Sequence, residues 1–123
     1  LRLIRQLTQA LETLILDKPE ESLMQKELDY DSLMKDIFKI NFSELSSKTK
    51  EEIIEIVNLH QEKDHKDYYE MLGNLFYLKG RETNDKEFFQ KAKTFYELYL
   101  QKSGIFSLPV INRINEIKEK REQ

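Results

Sequence analysis

A chain of 123 residues with no cysteine, three glycines and two prolines excludes a disulfide framework, a thiolate metal site and a cysteine nucleophile, and leaves few places to turn sharply. Charged residues make up 35% of it, yet the formal net charge is −3 and the isoelectric point about 5.5, so the signs are interspersed and the basic stripe of a duplex-binding protein is missing. No apolar run approaches the roughly 20 residues that cross a bilayer.

The first segment, Leu1 to Leu16, places Leu3, Ile4, Leu7, Ala10, Leu11, Leu14 and Ile15 at steps of three and four. That spacing predicts one broad apolar stripe on an α-helix, with Arg2, Arg5, Gln6 and Glu12 decorating the back. Asp17-Lys18-Pro19 should stop it, because proline disfavours helix at the residue before it. A second helix is expected over Pro19 to Ile40, using Leu23, Met24, Leu28, Leu33, Met34, Ile37 and Phe38. The step of five between Leu28 and Leu33 slips the helical phase, so a break is expected at Asp29-Tyr30-Asp31, with either aspartate able to cap a new helix.

Asn41 to Ser47 reads as a connector, with Phe42 and Leu45 turned inward. Thr49 and Glu52 form a capping box opening a helix over Glu51 to Gln61, with Ile53, Ile54, Ile56, Val57 and Leu59 as its apolar positions. Asp64 and Asp67 start the next helix, expected to close at Gly80 as a left-handed C-terminal residue. Asn84 and Glu87 start another, ending at Ser103-Gly104. Ser107-Leu108-Pro109 opens a last helix that is polar beyond Ile117 and should fray over 118–123. The fold expected is therefore all-α, about six helices in one domain over 1–123, with N-terminal helices in 1–47 and a hairpin plus capping helix in 48–123.

Residues Tyr68 to Gly104 carry the strongest pattern. One helix reads Tyr69-x-x-Leu72-Gly73-x-x-Phe76, and the next reads Ala92-x-x-x-Tyr96-x-x-Tyr99. Two antiparallel helices approach closely only where a side chain is nearly absent, which Gly73 and Ala92 would supply between Tyr69, Phe76 and Tyr96. A glycine inside a helix costs about 1 kcal/mol relative to alanine, so the close approach should return more than that. These 37 residues resemble a single, degenerate tetratricopeptide repeat. The resemblance implies a helical bundle in which the helix from Leu108 caps the hairpin. Arg81 to Glu87 departs from the usual short turn, so one helix should be extended or the turn lengthened. The layout is also similar to that of small bacterial all-helical proteins, a likeness that implies no particular activity.

His60 and His65, with Glu55, Glu62, Asp64 and Asp67 nearby, are read as solvated loop residues rather than a metal site, since no HExxH or Glu-x-x-His spacing is present. Glu51-Glu52-Glu55 complement a helix N-terminus. No glycine-rich phosphate loop or nucleophile motif exists, so no catalytic, metal or cofactor residue is expected. Tyr68, Tyr77 and Phe88 fall off the interior stripe of the hairpin, and a groove or subunit contact would account for them.

The function expected is that of a non-enzymatic helical interaction or scaffold module, cytoplasmic, binding a protein partner or a second copy as a homo-oligomer, and neither nucleic acid nor membrane. Leu3, Ile4, Leu7, Leu11 and Leu14 are the candidate self-association face. The alternative is a small-molecule-binding or regulatory domain with a pocket lined by tyrosines. Leu1 is not a methionine, so a longer natural chain is expected to precede it.

Overall fold

A computed structural model describes residues 1–16 and 29–122, and among these residues it contains seven α-helices, one short 3-10 turn and no strand. The helices are α1 (Arg2–Leu16), α2 (Tyr30–Phe38), α3 (Phe42–Ser47), α4 (Lys50–Asn58), α5 (His65–Thr83), α6 (Lys86–Ser103) and α7 (Leu108–Glu122). The expected stop at 17–19 and the apolar positions Leu23, Met24 and Leu28 lie outside the described residues.

Local chemistry sets most boundaries. Asp29 caps α2, accepting from the Ser32 backbone N–H at 3.1 Å, so the phase slip does mark a helix start. The region 41–47, read as a connector, forms the short α3 because Asn41 caps it, accepting from the Glu44 N–H at 2.9 Å. The Thr49–Glu52 capping box is complete in both directions. α4 then closes earlier than expected, at Asn58, and Leu59 swings outward to 84% exposure instead of joining the apolar stripe.

The turn between α5 and α6 corrects two expectations. Gly80 does not end α5. The helix continues to Thr83, and Asn84 takes the left-handed C-terminal position at φ 54°. Asp85, one residue later than expected, caps α6 by accepting from the Glu87 and Phe88 N–H groups. The departure at 81–87 is thus an extended first helix followed by a tight turn. Gly104 does close α6 in the left-handed conformation, at φ 67°.

α5 is the centre of the core. Met71 to Leu78 are buried without interruption, the mark of a helix enclosed on all sides. α6 packs along it in the opposite direction, and α1 covers a second side. Phe42 of α3 meets Phe76 of α5 and Phe88 of α6 at 5.8 and 5.9 Å between ring centroids. Phe38 of α2 meets Tyr68 at 5.8 Å, and α7 contributes Val110, Ile114 and Ile117 to the same core.

Candidate functional site

The hairpin residues come together, with a different contact from the one expected. Tyr69, Leu72, Gly73, Phe76, Ala92, Tyr96 and Tyr99 are all buried. A Cβ on Gly73 would stand 2.4 Å from Cδ1 of Tyr96, so the missing side chain makes room for an aromatic ring. Seven residues on, a Cβ on Gly80 would stand 3.1 Å from Cδ1 of Phe89, itself seven residues before Tyr96. Both glycines of α5 therefore seat a ring of α6, about two helical turns apart.

The Tyr96 ring seated on Gly73 carries its hydroxyl into a polar cluster shared by four helices. That hydroxyl donates to Oδ1 of Asn74 at 2.7 Å. Arg113 of α7 donates through Nη1 to the same Oδ1 and to the Tyr96 oxygen, each at 3.3 Å. It also grips Glu12 of α1 with both terminal nitrogens, Nη1 reaching Oε1 at 2.8 Å and Nη2 reaching Oε2. Asn74 Nδ2 donates to the Thr8 carbonyl at 3.2 Å, and the Tyr77 ring lies 5.5 Å from the guanidinium. Arg113 is 6% exposed and Asn74 1%.

Electrostatics in this cluster favour fixed protonation states. Burial opposes charge on Arg113, but the bidentate Glu12 carboxylate and the Tyr96 oxygen more than offset it and hold the guanidinium above its ordinary range. Burial pushes the Tyr96 phenol well up despite the neighbouring cation. Tyr77 is pushed up to about 12, by burial and by its hydrogen bond to Glu116. With the guanidinium charged and the Tyr96 phenol neutral near pH 7, each shared hydrogen bond keeps its direction, and the cluster acts as a clamp on α1, α5, α6 and α7.

Sequence reasoning missed this clamp. Glu12 was read as surface decoration, and neither Asn74 nor Arg113 was singled out. Two signals were available: Arg113 interrupts the stripe Val110, Ile114, Ile117, and Asn74 sits inside the run Leu72 to Phe76. A lone polar residue on an apolar stripe needs a buried partner.

The proposed self-association face is not open. Ile4, Leu7 and Leu11 are buried in the chain's own core, and Leu3 and Leu14 are half-buried. The reason is geometric: α5 is enclosed on all sides, and α1 spends its stripe covering it. Tyr68, Tyr77 and Phe88 likewise need no outside partner, being covered by α2, α7 and α3.

His65 is not a solvated loop residue, whereas His60 lies in the loop after α4 and is half-buried. His65 is buried, and its Nε2 faces the His60 carbonyl at 2.8 Å, so that nitrogen must carry the proton and donate. Its Nδ1 is the one buried side-chain polar atom without a partner among the described residues. His60 stacks on Tyr68 at 4.4 Å and its Nδ1 is 3.0 Å from the Tyr68 hydroxyl. Among the described residues no group of three or more potential metal ligands gathers.

Among the described residues, the surface cavities include two that are open to solvent. One, of about 360 Å³, is lined by Lys50, Lys86, Phe89, Gln90, Ile117 and Lys120. The other, of about 280 Å³, is lined by Lys48, Glu52, Glu55, Ile56 and Leu59. Among the described residues neither has a tyrosine in its wall, and Tyr68, Tyr69, Tyr77, Tyr96 and Tyr99 are buried in the core. Among the described residues no helix is long and apolar enough to cross a membrane. Comparison of the chain with protein-family models, with curated proteins and with solved structures returns no match.

Proposed function

We infer that the chain is a non-enzymatic helical interaction module, and that it meets a protein partner through the loop between α6 and α7. The observation that carries this reading is the exposed apolar cluster there. Ile105 is 53% exposed, Phe106 79% and Leu108 56%, within four residues. Large apolar side chains scattered singly are ordinary on a surface, but an aromatic flanked by two aliphatics is the make-up of an interface anchor. Gly104 in its left-handed turn and Leu108 as the first residue of α7 fix both ends of this short loop, so little ordering is lost on binding.

The repeat-like reading of α5 and α6, with α7 as their cap, belongs to the same proposal. It is supported by the two glycine-seated rings and by the burial of Val110, Ile114 and Ile117. A cytoplasmic setting fits a chain without cysteine.

Phe106→Ser is the test. The side chain contributes little to the fold, so the thermal midpoint should hold while the interaction is lost. Sedimentation over a concentration series, wild type against variant, reads self-association; affinity capture from host extract with both baits reads a different partner. A chain that stays monomeric and captures nothing in a Phe106-dependent way would sink the proposal.

A further inference from the structure

The exposed residues Ile105, Phe106 and Leu108 lie at one end of the antiparallel pair α5 and α6. The seated rings fix the register of that pair, with Gly73 against Tyr96 and Gly80 against Phe89. Carried two turns toward the loop, this register sets the first turn of α5 beside the last turn of α6. Near that end the Tyr99 hydroxyl donates to the Glu70 carboxylate. One turn further out stand Asp67 on α5 and Lys102 on α6.

Asp67 and Lys102 therefore place opposite charges beside the same apolar loop. Asp67 is half-buried and Lys102 exposed, and among the described residues neither takes part in an ion pair. Each complements the dipole of its own helix, one in a first turn and the other in a last turn. That role fixes the two signs in place and leaves both charges open to a further partner.

A face of this make-up is self-complementary. An isologous contact sets one residue against a second of the copy, and that second against the first. Asp67 can thus meet Lys102 of the second copy while Lys102 meets Asp67 of the second copy. A partner of one dominant sign would be repelled by one of the two. We propose that this end of the hairpin pairs with the same end of a second copy of the chain. Phe106 packs at the centre, and Asp67 and Lys102 pair across the two-fold axis. The inference rests on the reading of the α6–α7 loop as an interface. Three apolar residues a side make a small contact, so the dimer is expected to be weak and reversible.

Sedimentation equilibrium over a concentration series measures the dimer directly. Phe106→Ser and Lys102→Glu should each weaken it about tenfold or more, the second by setting like charges face to face. Asp67→Lys should do the same. An equimolar mixture of the Lys102→Glu and Asp67→Lys chains should dimerise again, because every cross-pair is then opposite in sign. Both changes in one chain should restore the dimer for the same reason, which also shows that the variants fold. A wild type that stays monomeric across the series overturns the proposal, as does a dimer untouched by Lys102→Glu or a mixture that stays monomeric. A dimer that survives Phe106→Ser lies elsewhere on the chain and overturns it too. A monomeric wild type that still captures another protein through Phe106 overturns the second copy and leaves the interface reading standing.

Discussion

A methyl group at position 73 would fall 2.4 Å from a ring carbon of Tyr96, inside contact distance and with no flexible tip to give way. Helix propensity alone would make Gly73→Ala stabilising by about 1 kcal/mol. Overpacking in a closed core costs about 1–3 kcal/mol, and Tyr96 is pinned at its hydroxyl by Asn74 and Arg113. Gly73→Ala is therefore expected to lower stability in a denaturant melt, and Gly73→Leu to lower it much further. Gly80 is a control, since its nearest neighbour stands at 3.1 Å and a small movement of Phe89 would admit a methyl group. Gly104 fails for another reason. Nothing lies within 4 Å, but φ is +67°, so Gly104→Ala should cost about 1 kcal/mol through backbone strain alone.

Between helices, the Glu12–Arg113 pair sets the expected hierarchy. Removing one member strands the other charge, so Arg113→Ala should cost about 3 kcal/mol, the low end for a broken buried pair. The low end applies because the Glu12 side chain keeps 27% exposure. Glu12→Leu combined with Arg113→Met should recover most of that loss, since apolar replacements of similar size leave no stranded charge. A double variant no better than Arg113→Ala in a urea titration would refute this account. Asn74 and the Tyr96 hydroxyl also lean on Arg113, so the two positions should show a large coupling in the double-mutant cycle.

Across the whole molecule, buried phenols shape the response to base. Tyr77 is pushed up to about 12 by burial and Glu116, and Tyr99 to about 12 by burial and Glu70. In the unfolded chain both titrate at the ordinary value of 10.0. Below pH 10 native and unfolded chains both keep these protons, so the contribution is constant. Above it the unfolded chain releases protons that the native core retains, and stability should fall between pH 10 and 12. Tyr77→Phe removes one ionisation and should flatten that fall; an unchanged slope would exclude Tyr77 as a source. The helices themselves were legible because caps and apolar steps act within a few residues: Asp29, the Thr49–Glu52 box, Gly104 and the stripe of α1 all report local chemistry. The centre of the core was not. Local spacing cannot say that α1 covers α5, that Gly80 seats Phe89, or that Arg113 reaches Glu12 across 101 positions. Nor does it say that lysines at the starts of two helices share a cavity with a third.

The grip of Arg113 on Glu12 also orders events in time. A ribosome delivers Glu12 long before Arg113, so the first helix emerges with its carboxylate still hydrated and its apolar stripe without a completed binding surface. Until the last helix leaves the exit tunnel, the nascent chain holds Asn74 and the Tyr96 hydroxyl with their final partner missing. Closure of the four-helix junction thus waits on the arrival of α7, and the chain that still lacks it is the species most exposed to chaperones and proteases.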